Sequence, residues 1–236
     1  VLRAIWRGLR RRPVTAPYTL DDMASDTVGL LDALGIGQVH VVGASMGGMI
    51  GQVIAARHPA RVLSLTSIMS NSGNQDRKIA FGSWKALRAI IHRPPPPDDH
   101  EAVVQHLMRV FSVIGSPAFR HELGQMRPLF ERVARRGLYR NGTARQLLAI
   151  LASGDRRPLL ASITAPTLVL HGADDPLVPI AAGVDTTANI PGARLEVIPG
   201  MGHDFPPGLM ARIATRVAEH CRAVPSIQPA PATQSA

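Results

Sequence analysis

At 236 residues, with 45% hydrophobic and 18% charged side chains, the chain suits one domain carrying an insertion and is long enough to bury a substantial core. A single cysteine, Cys221, excludes a disulfide framework, and no Cys/His cluster has zinc-like spacing. The net charge of +9 does not imply a nucleic-acid partner. Only Lys78 and Lys85 of the 26 basic residues are lysines, the arginines scatter beyond the first dozen residues, and aromatics are 4%, whereas nucleic-acid binders interleave basic stripes with aromatic side chains.

Residues 1–18 form an irregular basic arm without sustained periodicity. The opening VLRAIWRGLRRRP lacks the apolar stretch of a secretory signal, so a cytoplasmic location is expected. The chain begins with valine, which leaves either a missing upstream segment or a non-standard start codon. Thr19 with Asp22 then resembles a capping box. The stripe Leu20, Met23, Ala24, Thr27, Leu31, Leu34 predicts a helix that Gly35 ends. Val39 to Val42 is a buried strand, a glycine-rich turn follows, and an apolar helix runs to Arg57. Residues 33–56 carry no Asp, Glu, Lys or Arg, yet their six glycines and the turn argue for buried strand, turn and helix instead of a membrane span. Val62 to Met69 is the next strand.

From residue 74 to about 154 the pattern is helical: Ile79–Ile91, Glu101–Val113, Ala118–Val133 and Thr143–Leu151, with the Pro94–Pro97 run breaking the first two. This predicts a helical cap inserted between strands. Its apolar residues Phe81, Trp84, Met108, Phe111, Met126 and Phe130 serve either a helix–helix core or a pocket wall. Sheet rhythm resumes at residue 155, with strands at Pro166–His171 and Arg194–Ile198 and helices at Pro179–Asn189 and Pro207–Arg222. The core is therefore expected to comprise residues 19–73 and 155–223. Residues 224–236, rich in Pro, Ala and Ser, are expected to be disordered.

The turn Gly43-Ala44-Ser45-Met46-Gly47 is a G-x-S-x-G pattern in strand-turn-helix context. A serine hydroxyl needs exposure, a base and amide donors to act as a nucleophile. The tight turn supplies the exposure, with Gly43, Gly47 and Gly48 letting strand and helix approach. On an open parallel sheet, reacting groups gather beyond the carboxyl ends of the strands. Three such loops carry Ser45, then Asp175 or Asp174, then His203. In that arrangement Ser45 attacks an acyl carbon, His203 shuttles the proton, a carboxylate orients His203, and the Met46 amide donates to the oxyanion. His171, at a strand end, reads as structural, and His58 as a helix-end residue.

Four stretches carry a resemblance: YTLDDMASDTVGLLDALGI, GASMGG, VLHGADDPLVP and IPGMGHDFP. Together they resemble the α/β-hydrolase fold over residues 19–222, most closely its cap-bearing, esterase-like members of the aclacinomycin methylesterase type. The resemblance implies an α/β fold with a mostly parallel sheet and helices on both faces. It also implies a serine esterase acting on a small-molecule ester, with Asp175, three residues after Gly172, as the acid. No metal or other cofactor is implied. A perhydrolase or haloperoxidase on the same triad is the alternative. Ser45 sets the chain apart from dehalogenases and epoxide hydrolases of this fold, which use aspartate there. The family's sheet normally begins with strands before the YTLDDM helix, one of whose loops gives a second oxyanion donor. Without that segment, the expectations are an exposed Val39–Val42 edge that favours self-association and weak or absent activity.

Overall fold

The computed structural model describes residues 7, 12–80, 82–137, 139 and 141–224. Most of the basic arm, Phe81 and the tail after Val224 lie outside them. Helix α1, Leu20–Ala33, starts on the capping box read from the sequence: the Thr19 hydroxyl accepts from the Asp22 amide, and the Asp22 carboxylate accepts from the Thr19 amide. Gly35 follows its end at φ 67°. Strand β1, Val39–Ala44, runs into α2, Met46–Arg57, and β2, Val62–Ile68, comes next.

Between β2 and β3 the described chain is helical: α3 Arg77–Ala80, α4 Trp84–Ile91, α5 His100–Ile114, a 3-10 segment Pro117–Met126, α6 Arg127–Arg136, α7 Gly142–Ser153 and α8 Arg157–Leu160. The stretch read as one helix, Ala118–Val133, is two. The first part winds as 3-10 turns with Phe119 at non-helical angles, and α6 begins anew where Pro128, lacking an N–H, sits in the first turn. β3 Thr167–Gly172, α9 Ile180–Ala188, β4 Arg194–Ile198 and α10 Pro207–Arg222 complete the chain.

The four strands are parallel and ordered β1-β2-β3-β4, with Val41 beside Leu65, Ile68 beside Leu170 and Gly172 beside Ile198. Helices cover both faces. On one, α1 and α2 pack Leu20, Val28, Val53 and Ile54 against Leu65. On the other, Leu209 and Ile213 of α10 meet Ile68, Leu168, Leu170 and Ile198. Strands covered on both faces are buried along nearly their whole length, as VLSLTSI and TLVLHG are, small polar residues such as Ser64, Thr66 and Ser67 included. Helix α2 is buried around most of its girth, Gln52 and Gly51 included, because α1 backs it where the sheet does not. Among the described residues β1 pairs with β2 alone, and Val42 is 47% exposed. The inserted helices have their own core: Val103, Val104, Met126 and Phe130 are buried, and the Phe111 and Phe130 rings lie 5.0 Å apart. Trp84, by contrast, is 66% exposed and serves neither a core nor a wall.

The junction of β1 and α2 depends on one missing side chain. A Cβ on Gly43 would lie 2.1 Å from the Gly47 carbonyl oxygen, whereas one on Gly29 in α1 would meet nothing within 4 Å. Gly43→Ala is therefore expected to destabilise the fold by about 2–3 kcal/mol or more. Gly29→Ala should stabilise it by about 0.5–1 kcal/mol through helix propensity. Urea midpoints of the two variants check both signs.

Candidate active site

Ser45 links β1 to α2 at φ 52° and ψ −119°, a conformation that costs a non-glycine residue about 1–3 kcal/mol. Strand β2 and the loop that follows it hold it there. The Ser45 amide donates to the Ile68 carbonyl at 2.8 Å, and the Ser70 hydroxyl donates to the Ser45 carbonyl at 2.9 Å. Gly48 permits this grip, since a Cβ there would press on the Ser70 side chain at 2.8 Å. Gly47, expected to make room as Gly43 does, faces open space; what matters is that its carbonyl lies against Gly43. Met46 is the first residue of α2, so its amide has no preceding-turn carbonyl within the helix, and the positive helix end lies beside Ser45.

Beyond β3, Asp175 is buried and immobilised. One carboxylate oxygen accepts from the Leu177 and Val178 amides at 2.9 and 2.8 Å, and the other accepts from His203 Nδ1 at 2.7 Å. Asp174, the other candidate, is exposed and accepts from the Gly200 amide at 2.9 Å. His203 Nε2 lies 3.0 Å from Ser45 Oγ. With its Nδ1 proton committed to an acceptor-only carboxylate, the imidazole presents a lone pair at Nε2 to the serine hydroxyl. The three side chains form one hydrogen-bonded line.

The loop bearing His203 is wedged between β3 and the end of α5. A Cβ on Gly172 would sit 2.3 Å from the Met201 carbonyl oxygen, and one on Gly202 would sit 2.6 Å from Gly115. The His203 amide donates to the Ile114 carbonyl at 2.8 Å. Ser116 ties the loop further: its hydroxyl accepts from the Gly202 amide at 2.9 Å and donates to Asp204, whose same oxygen takes the Ser116 amide at 2.9 Å. Burial pushes the Asp204 carboxyl above the usual aspartate range, against the lowering effect of the two Ser116 hydrogen bonds. Sequence reading missed Asp204 and Ser116, which lie far apart in the chain and share no motif.

A cavity of about 390 Å³ opens over Ser45 and His203. Its apolar walls come from α4 (Leu87, Ile90) and α7 (Leu147, Ile150, Leu151). Met108, Phe111, Met126 and Phe130 are not among its described lining residues; they build the helical core instead. The Leu147, Ile150, Leu151 stripe was the available signal for the wall. Among the described residues no group of three or more His, Cys, Asp or Glu side chains is placed to hold a metal ion, and no helix is long and apolar enough to cross a membrane.

The family model described as alpha/beta hydrolase fold matches residues 7–206. The chain belongs to that family. It is 32% identical over 177 residues to a 2-hydroxy-6-oxononadienedioate/2-hydroxy-6-oxononatrienedioate hydrolase of Dechloromonas aromatica (strain RCB), a match covering 74% of this chain and 59% of that relative's length. It is 28% identical over 233 residues to rhodomycin D methylesterase DauP of Streptomyces sp. (strain C5), covering 88% of this chain and 74% of the relative. Among solved structures, the meta-cleavage product hydrolase of Pseudomonas fluorescens IP01 superimposes with a TM-score of 0.70 at 20% identity, over 91% of this chain and 75% of that one. That likeness speaks for the α/β-hydrolase fold itself, with its parallel sheet covered by helices on both faces.

His171, beneath the site, is fully buried, and its Nε2 proton goes to the Val178 carbonyl at 2.8 Å. Burial holds its pKa below the ordinary 6.5, and burial does the same to His106 and His220. The unfolded chain takes up protons near pH 6.5 while the buried rings do not, so stability is full above that pH and falls as pH drops below it. His171 contributes a slope of up to about 1.4 kcal/mol per pH unit in that window. His171→Gln, which keeps a donor for Val178, should lose stability less steeply between pH 6.5 and 5. Unfolding midpoints across that range measure the difference, and equal slopes would contradict it.

Proposed function

We propose that the chain hydrolyses carboxylic esters through an acyl-enzyme on Ser45. The observation that carries this reading is the Ser45–His203–Asp175 line, at 3.0 and 2.7 Å, opening on a mostly apolar cavity. The methylesterase named among the relatives supports the ester as substrate class.

In this reading Ser45 Oγ attacks the ester carbonyl carbon while His203 Nε2 takes the hydroxyl proton. The carbonyl π electrons move onto oxygen, and the Met46 amide at the head of α2 donates to that oxyanion. Collapse of the tetrahedral intermediate expels the alcohol, which receives the proton from His203. Water then attacks the acyl-enzyme, again with His203 as base, releasing the acid and restoring Ser45. Asp175 keeps the imidazole in the tautomer with its free lone pair at Nε2 and stabilises the imidazolium. The helical stretch 74–154 acts as a lid whose α4 and α7 walls hold the apolar part of the substrate, over a core of residues 19–73 and 155–223.

A fluorophosphonate probe should label the wild-type chain, and Ser45→Ala should abolish labelling. Measured on p-nitrophenyl butyrate, Ser45→Ala should lower kcat by about 10⁴-fold or more. Asp175→Asn should cost about 10⁴-fold, while Asp174→Asn should cost less than about tenfold, because it removes only a loop tie. Labelling that persists in Ser45→Ala, or a larger loss from Asp174→Asn than from Asp175→Asn, would overturn the assignment.

A further inference from the structure

One arginine does not behave as a surface charge. Arg156 is 4% exposed, and its guanidinium makes hydrogen bonds to oxygens of neutral groups: the Asn71 carbonyl at 2.7 Å, the Asn71 side-chain oxygen at 3.2 Å and the Gly154 carbonyl at 3.3 Å. Its Nε–H has no partner among the described residues, and burial draws its pKa down to about 10. Burying a cation without a paired anion costs stability, so its neighbours indicate what it does. The Arg156 amide donates to the Ser72 carbonyl at 2.9 Å. A Cβ on Gly73, which sits at φ 80°, would lie 2.0 Å from the Gly154 carbonyl oxygen. The segment around Arg156 is thus pressed against the loop that follows β2.

That loop faces the cavity. Asn71 is part of the cavity wall and directly follows Ser70, the residue whose hydroxyl holds the Ser45 carbonyl. The Gly73 amide, at 3.0 Å, and the Arg156 guanidinium both donate to the same end of the Asn71 side chain. Two donors require an acceptor there, so the oxygen must be at that end and the NH2 is the end left for a ligand. Asn74, the other asparagine in the wall, is tied down on both sides: its NH2 gives one hydrogen bond to Asp185 at 2.7 Å, and its oxygen accepts from the Asp76 amide at 2.9 Å. Gln75, Thr143 and Gln146 are further polar side chains of the wall, and Asn71 is set apart from them by the Arg156 guanidinium that fixes its orientation. Among the described lining residues there is no Arg, Lys, Asp or Glu.

We propose that Asn71 is a specificity-determining residue whose NH2 donates to an uncharged acceptor oxygen, of keto type, on an otherwise apolar ester, and that Arg156 is the positioning residue that orients it. The proposal rests on the reading of this cavity as an ester site. A carboxylate-bearing substrate would lose its hydration on entry without gaining a cation, whereas a keto oxygen exchanges water for the Asn71 donor.

The test is calorimetric titration of Ser45→Ala with methyl hexanoate, methyl 4-oxohexanoate, methyl 5-oxohexanoate and monomethyl glutarate. The better keto ester should bind about tenfold more tightly than methyl hexanoate, and monomethyl glutarate should bind most weakly. Adding Asn71→Leu should bring the keto-to-plain ratio to about one. Arg156→Lys, which lacks the planar fork, should do the same without touching the ligand. Equal binding of keto and plain esters, a ratio that survives Asn71→Leu, or glutarate binding as tight as the keto ester would overturn the proposal. The ligand comparison needs only Ser45→Ala, so it decides the matter whether or not Arg156→Lys folds. Hydrolysis of the same esters by wild type separates the two readings. Keto-selective binding without turnover leaves the Asn71 assignment standing and removes the ester hydrolase, whereas turnover without keto preference in binding does the reverse.

Discussion

Ser45 occupies a backbone conformation that an L-residue does not adopt unaided, and much of the surrounding structure maintains it. The strain is local, but its restraints are not. They come from the Ile68 carbonyl at the end of the neighbouring strand and the Ser70 hydroxyl just beyond it, from the backbone space at Gly43, and from the start of α2. The result is a hydroxyl raised above the carboxyl end of a parallel sheet, where loops from β3 and β4 can reach it. Position follows from topology, since three separate strand ends contribute one side chain each.

The loops then solve a second problem, which is to keep a histidine on a mobile kind of segment in register with that hydroxyl. Asp175 does so from one side and the end of α5 from the other. Because α5 belongs to the inserted helices, the same segment that walls the cavity also grips the His203 loop through Ile114 and Ser116. Buried Asp204 completes this grip at the expense of a desolvated carboxyl, much as buried Arg156 braces the Asn71 loop at the expense of a desolvated guanidinium. Both are ionisable side chains buried in places where a sequence reading expects only solvated ones.

What was legible in the sequence was local. The Thr19–Asp22 cap, the strand-turn-helix around Ser45 and the last helix from Pro207 to Arg222 are each specified by residues a few positions apart. Ser45, Asp175 and His203 stood out because motif and chain order point to loops at one end of a parallel sheet; the residues alone left Asp174 and Asp175 open, the resemblance favoured Asp175, and the geometry puts Asp175 rather than Asp174 against His203. Rotation of the inserted helices was not legible. Apolar stripes on α4, α5, α6 and α7 look alike in sequence, yet α5 and α6 make a core, α7 lines the cavity, and α4 does both, with Ala86 in a core with α5 and Leu87 in the wall. Pairings such as Ser116 with Asp204, or Arg156 with Asn71, join distant segments by hydrogen bonds that leave no periodic trace.

In the proposed function, Ser45, His203 and Asp175 work as one nucleophilic unit facing the cavity between α4 and α7. The most direct measurement is a crystal structure of the chain after reaction with a small alkyl phosphonate. Continuous density is expected from Ser45 Oγ to phosphorus, with one phosphonyl oxygen within hydrogen-bond reach of the Met46 amide and the alkyl group lying against Leu87, Ile90 and Leu147. An adduct on another residue, or a Ser45 adduct whose oxygen points away from the Met46 amide, would contradict it.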